Sequence, residues 1–319
     1  MHLHWPWSKR TCLGIDLQTS RLNLLEIQPK KNEHYVQNVA SLPLIISAEK
    51  SLAASISNAI EATFAQTRRK ASVAIIGLAA SQVITKTIYL NKQWDKQTIA
   101  DYIEVNVDRY LPYARDELCF DFQIQNSTEQ QAAQQKILLV ACRQSSLEDY
   151  LCLFANAPLQ PTVVDTVPYA LMRALNYLFP SSQTQACLAL LDINYPLVNM
   201  LILEEGNLIY NQEERCNFKA EDPEFAVRTA QLIKGLLHYF LTTHAHKTLD
   251  KLLLSGHGAC LQDMAKLVSL HTGYTTECVN PFNKLRLAPQ LDTDLLQQQA
   301  PAYMLSYGLA LRGLDVNHH

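Results

Sequence analysis

Two aspartates stand in matching surroundings: Asp16 within CLGIDLQTSRLNLLEI (residues 12–27) and Asp192 within CLALLDINYPLVNMLIL (residues 187–203). Each follows Cys-Leu and a short apolar run, and each precedes Leu or Ile and then Gln or Asn. Each is also trailed, seven positions on, by an asparagine, Asn23 or Asn199. Such a pattern reads as two strands joined by a tight turn that begins at the aspartate. A turn carboxylate can hold a divalent cation, usually through water, while backbone N–H groups of the turn cradle phosphate. The same aspartates can instead bond their own turn backbone, with no ligand. Gly256-His257-Gly258-Ala259 follows an apolar strand, Lys251 to Leu254, and precedes a helix over about 260–270. Glycines there either let a ligand approach the backbone at a helix start or simply ease entry into the helix. Asp165 ends the strand PTVVD ahead of a helix from Pro168 to Leu178, where a carboxylate suits a helix N-terminus. His244-Ala245-His246 has no evident third ligand and reads as a solvated helix end.

The elements that must position these residues form two α/β lobes of one architecture, since the aspartate unit recurs about one domain length later. A third strand is predicted after each copy, His34 to Val39 and Leu208 to Asn211. The first lobe continues with a helix over 49–66 and a strand over 72–77. The second continues with a helix over 223–246, carrying Leu232, Leu236, Leu237 and Phe240 on one side. Gly273 stops the 260–270 helix, and a strand over 275–279 follows. Between the lobes' parts, a strand at 82–90 leads into an amphipathic helix at 97–110. Two strands, 118–125 and 136–142, then flank the polar loop 126–135 before a helix near 145–155. The predicted division is 1–80 with 161–180 as the first lobe, 81–160 as an inserted subdomain, and 181–319 as the second lobe. Residues 222–252 form an excursion of that second lobe.

Composition narrows the function. With 48% hydrophobic residues in 319, the chain buries real cores. Lys+Arg number 27 against 30 Asp+Glu, which argues against a chain-wide grip on nucleic acid. Eight scattered cysteines without a CxxC pair read as small buried hydrophobes in a reducing cytoplasm. No stretch reaches the roughly 18 apolar residues of a membrane helix, because Asp192 interrupts 186–203. Trp5-Pro6-Trp7 with Ser8-Lys9-Arg10 is too short for stable anchoring, and Arg68 to Lys70 reads as a solvated loop. His318-His319 is given no function.

In order along residues 13–313, several motifs resemble the PilM family of type IV pilus assembly proteins, in the actin-like ATPase superfamily. Gly14-Ile15-Asp16-Leu17-Gln18-Thr19-Ser20-Arg21 stands where that family has Gly-Ile-Asp-Ile-Gly-Ser-Ser-Ser. Tyr110-Leu111-Pro112-Tyr113, Asp116-Glu117 and Phe120-Asp121-Phe122 match its inserted-subdomain signature. Gly256 to Ala259, Asn280-Pro281-Phe282 and Tyr307-Gly308-Leu309-Ala310-Leu311-Arg312 match its later segments. The resemblance implies a two-lobed actin-like α/β fold of ribonuclease-H-like repeats with a small inserted α/β subdomain. It implies ATP or ADP with Mg in the inter-lobe cleft, bound by Asp16, Leu17, Gln18, Thr19, Ser20, Asp192, Asn194, Tyr195, Lys234, Gly256, His257 and Gly258. Asp16 and Asp192 would hold the metal, and Asp165 would orient the attacking water. It also implies a cytoplasmic adaptor at the inner face of the inner membrane. That adaptor would bind the N-terminal peptide of a PilN-like inner-membrane pilus protein, with pilus motor or platform components and further copies of itself as other contacts.

This chain departs from the pattern at the phosphate turns. Gln18 and Asn194 replace the glycines, and Tyr195-Pro196 makes the second turn bulky and poorer in N–H donors. Leu22 and Asn23 occupy the region of the family's lysine, and Leu232-Ile233-Lys234-Gly235-Leu236 keeps only a basic residue of the helix run facing the nucleotide. Weak nucleotide binding with slow turnover or none is the expectation. Tyr110, Leu111, Pro112, Tyr113, Phe120 and Phe122 are expected to line the peptide groove where the insert meets the first lobe, or else to fill the insert's own core. Two other readings compete: a sugar-kinase-type phosphotransferase, which needs intact glycine turns, and a vestigial scaffold that binds no nucleotide.

Overall fold

The computed structural model describes residues 11–30, 33–44, 51–65, 71, 73–125, 133–180 and 186–315. The Trp5-Pro6-Trp7 segment with Ser8 to Arg10, Arg68 to Lys70, most of the 126–135 loop and His318-His319 lie outside them. The chain forms two compact units, residues 1–77 with 154–319, and residues 78–153.

In the larger unit, β1 (Cys12–Leu17), β2 (Arg21–Lys30) and β3 (Glu33–Pro43) form an antiparallel meander. Helix α1 (Leu52–Ala65) leads to β4 (Val73–Leu78), which pairs parallel to β1. β3 is longer than the sequence suggests, because it pairs with β2 along its whole length, from Lys30↔Glu33 to Arg21↔Pro43. The chain then builds the smaller unit: β5 (Ile84–Asn91), α2 (Lys96–Asn106), β6 (Leu118–Gln125), β7 (Gln134–Arg143) and α3 (Gln144–Cys152). Asp95 caps α2 by accepting from the Thr98 amide at 2.8 Å. The α-helix ends at Asn106 and tightens into a 3₁₀ turn over Val107–Arg109, so the predicted single helix to 110 is two pieces. Strand β7 lies between β5 and β6, both antiparallel to it.

Returning to the larger unit, β8 (Val163–Thr166) and α4 (Val167–Leu178) close the first lobe. The second lobe repeats the plan with β9 (Cys187–Asn194), β10 (Leu197–Glu204), β11 (Asn207–Arg215), α5 (Phe225–Thr243), β12 (Lys251–Ser255), α6 (Met264–Thr272) and β13 (Thr276–Cys278). Short β14 (Arg286–Leu287), α7 (Thr293–Gln298) and α8 (Met304–Asp315) complete the chain. The sheet orders, β14-β3-β2-β1-β4-β8 and β11-β10-β9-β12-β13, express the same topology twice.

One core joins both lobes: Leu25, Ile27 and Ile75 share it with Leu190, Leu201 and Leu253 through α4 and α8. Helix α8, absent from the sequence reading, is central to it. A Cβ on Gly14 would lie 1.8 Å from the Ser306 carbonyl oxygen, and one on Gly308 would lie 2.0 Å from that of Ala170. Bare backbone at both sites lets α8 pass between β1 and α4. Among the cysteines, Cys12, Cys142, Cys187 and Cys216 are buried as expected, but Cys152 and Cys278 are exposed and do not serve as core hydrophobes. Among the described residues, no helix is long and apolar enough to cross a membrane.

Candidate functional site

In the first hairpin the Gln18 amide donates to the Arg21 carbonyl at 2.9 Å, closing a turn whose tip, Thr19-Ser20, is exposed. Asp16 is 3% exposed. Its Oδ2 accepts from Gln18 Nε2 at 2.8 Å and from Asn23 Nδ2 at 2.9 Å, Asn23 being its register partner on β2. The second hairpin turns at Tyr195-Pro196, joined by a cis peptide bond. Asp192 is 1% exposed. Its Oδ2 accepts from Asn194 Nδ2 at 2.8 Å, and its Oδ1 from Ser255 Oγ at 2.7 Å, Ser255 being its neighbour on parallel β12. The carboxamides at the two glycine positions therefore make the same bond, each to the aspartate two residues before it.

His257 ties the hairpins together. Its amide donates to Asn194 Oδ1 at 2.9 Å, and its ring Nε2 lies 3.1 Å from Asn23 Oδ1. Asn23 Nδ2 faces Asp16 Oδ2 and the Ala302 carbonyl, an acceptor only, so Oδ1 accepts and the imidazole carries its hydrogen on Nε2. Ser41 Oγ donates to the same Oδ1 at 2.7 Å, and Asn23 Nδ2 also approaches the Ala302 carbonyl at 3.4 Å. Burial pushes the Asp16 carboxyl up to about 7, with the Asp192 charge adding and the Asn23 and Gln18 bonds opposing. Burial likewise raises Asp192 to about 6, against the Ser255 and Asn194 bonds. His257 is held down at about 4 by burial first and by the nearby Arg21 charge second, so at neutral pH it is the neutral donor the geometry requires.

The two glycines of the 256–258 turn are explained by protein contacts. Gly256 has φ +82°, and a Cβ there would meet the Ile193 carbonyl oxygen at 2.5 Å and Asn194 Oδ1 at 2.8 Å. On Gly258 it would meet the Ile193 side chain at 2.2 Å. The end of β9 packs directly against both glycines, so the turn's own packing requires them.

The remaining predicted residues are dispersed in role. Leu17 is half-buried, and Tyr195 packs its ring edge toward Phe225 at 6.0 Å between centroids. Lys234 is exposed on α5. Asp165 is engaged within the first lobe: its Oδ1 accepts from the Thr166 amide at 2.8 Å and its Oδ2 pairs with Arg173 at 2.7 Å. Arg173 in turn donates to the Gly308 carbonyl at 3.2 Å, so the pair fastens α4 to α8. Ser41, Ser255 and Ala302 complete the site without having been expected there. Asn23, read as a missing lysine, is its hub; the repeated Asp-to-Asn spacing was the available signal.

Magnesium nucleotide does not fit these residues. Both carboxylates are buried and already bonded by neighbouring side chains, bonds that a divalent cation would have to displace. Among the described residues, no three His, Cys, Asp or Glu are grouped to hold a metal ion.

The smaller unit presents a different surface. Leu111 belongs to its core, with Tyr110, Tyr113, Phe120 and Phe122 packed half-buried against it and Pro112 exposed. Three cations lie over rings at this edge: Arg143 at 4.2 Å from Tyr113, Arg115 at 5.3 Å from Phe120, and Lys86 at 6.0 Å from Tyr110. Lys86 Nζ also donates to the Tyr110 carbonyl at 2.9 Å. Five of the six residues thus help pack the insert's core, and four of them keep part of a ring at the surface.

Comparison with known proteins bears on both units. A solved PilM-PilN type IV pilus biogenesis complex is similar over 95% of this chain and 98% of that one, at 21% identity and TM-score 0.75. A Bacteroides thetaiotaomicron protein of actin-like ATPase fold and unknown function matches over 93% and 98% at 12% identity and TM-score 0.45. The ethanolamine utilization protein EutJ of Carboxydothermus hydrogenoformans matches over 94% and 89% at 10% identity and TM-score 0.49. The likeness to the PilM-PilN complex runs along the whole two-lobed α/β fold. The family model for type IV pilus assembly protein PilM matches residues 14–218 and 214–314, nearly the whole chain, and the chain belongs to that family.

Proposed function

We propose that this chain is an adaptor of type IV pilus assembly that captures the short cytoplasmic N-terminal peptide of a PilN-like inner-membrane protein. Membership of the PilM family carries the reading, supported by the likeness to a PilM-PilN complex along the full fold. The insert supplies suitable chemistry: half-exposed rings of Tyr110, Tyr113, Phe120 and Phe122 for apolar peptide side chains, with Arg115 and Arg143 beside them for carbonyls or carboxylates. Binding holds the protein at the inner face of the membrane through its partner.

The cleft favours the scaffold version over the nucleotide-switched one, because side chains of the protein already bond both aspartates. A phosphotransferase reading has no support in turns built this way. Titrating a labelled N-terminal peptide of the partner into the full chain tests the adaptor reading. Tyr113→Ala and Phe120→Ala should each weaken binding about tenfold, equivalent to about 1.4 kcal/mol. Unchanged affinity in both variants would refute the insert as the peptide site.

A further inference from the structure

We infer that the cleft between the two hairpins is a nucleotide-independent latch. Gln18 and Asn194 bond the Asp16 and Asp192 oxygens that a nucleotide's cation would need, and the Asn23–His257 bond fastens one hairpin to the other lobe. Three observations carry this. First, the carboxamides that replaced the phosphate-turn glycines do not hang into the cleft; each is bonded at 2.8 Å to its own turn's aspartate. Second, Asn23 and His257, one from each lobe, meet at 3.1 Å, and the ring is oriented by its neighbours: the His257 amide is fixed on Asn194 while Asn23 is fixed by Asp16 and Ser41. Third, Gly256 and Gly258 are required by the protein's own packing, since a Cβ on Gly256 would strike Ile193 and Asn194 and one on Gly258 would strike Ile193.

In a nucleotide-closed fold, ligand bridges the lobes and its departure lets them part. Here the bridging groups are covalently part of the chain, so closure follows from folding alone. A cation using Asp16 Oδ2 or Asp192 Oδ2 must first displace the carboxamide bonded there. The inference is independent of peptide capture: an adaptor can bind its partner with the cleft latched or not, so the two readings fail separately.

The test uses the full chain, with thermal unfolding and amide hydrogen exchange recorded alone, with 1 mM Mg, and with 1 mM Mg plus ATP or ADP. The expected result is no change in midpoint and no added protection at residues 18–23 or 255–258 with either nucleotide. His257→Ala, which keeps the backbone bond to Asn194, should lower the midpoint by about 2–4 °C and speed exchange at both hairpins. A nucleotide-dependent rise of about 5 °C or more, as a ligand at a hundred times its dissociation constant gives, would overturn the inference. So would a His257→Ala variant whose exchange at the first hairpin matches the parent.

Discussion

The two hairpins carry the same aspartate and the same turn carboxamide, yet they recruit their other partners from opposite directions. Asp16 takes its second bond from Asn23 across its own hairpin, whereas Asp192 takes it from Ser255 on the neighbouring parallel strand. Asn199, which stands where Asn23 stands, has a buried Oδ1 without a hydrogen-bond partner. Two residues before the aspartates the lobes also differ: Gly14 bares its backbone to α8, while Leu190 fills the shared core. The repeat supplies the frame, and the lobe that receives the C-terminal helix supplies the hub. Polar bridging is thus concentrated in Asn23 and His257.

Substitutions at these positions separate the contributions of the two hairpins. The largest effect should come from Gly14→Ala, whose Cβ would sit 1.8 Å from the Ser306 oxygen. Backbone blocks it on both sides, so a loss of about 3 kcal/mol or more is expected in chemical denaturation. Asn23→Ala should follow, at about 2–3 kcal/mol, since it strips partners from Asp16, Ser41 and His257 together. Asn199→Ala should cost clearly less, about 1 kcal/mol or under, and equal losses at the two asparagines would contradict the asymmetry.

The aspartates predict a pH dependence whose sign is fixed by burial. An unfolded Asp titrates near 3.9, but folded Asp16 titrates at about 7 and Asp192 at about 6. Between those values the unfolded chain has already released its protons and the folded one retains them. Stability from these groups is therefore full below about pH 4 and is lost as pH rises through about 7. His257 works the other way, losing stability as pH falls from 6.5 towards about 4. Asp16→Asn should accordingly raise the midpoint at pH 8 relative to the parent and flatten its profile between pH 5 and 8, with Asp192→Asn showing the same change more weakly. Smallest of all, Thr19→Ala and Ser20→Ala at the exposed turn tip should change stability by no more than about 0.5 kcal/mol.

Much of this frame was legible in the residues. Apolar runs broken at Asp16 and Asp192 located both hairpins, because strand alternation and turn residues are local signals. The helices around Ile99 and Ile103 and around Leu236 and Phe240 followed from spacing for the same reason. Helix α8 was not legible: Gly308 and Gly313 weaken a helical pattern in sequence, and only the packing of Gly308 against Ala170 explains that glycine. Gln18 and Asn194 read as lost glycines, because their bonds to the aspartates depend on side-chain direction at a turn. The reach of Asn23 to His257 spans 234 positions, and no local pattern encodes it.

The claim that the lobes close on each other through side chains is tested most directly by a double-mutant cycle on Asn23→Ala and His257→Ala, read by chemical denaturation. The bond at 3.1 Å predicts a coupling energy of about 1 kcal/mol, with the double variant less destabilised than the sum of the singles. Additive losses, with coupling inside about 0.3 kcal/mol, would mean that the two residues do not hold the lobes together.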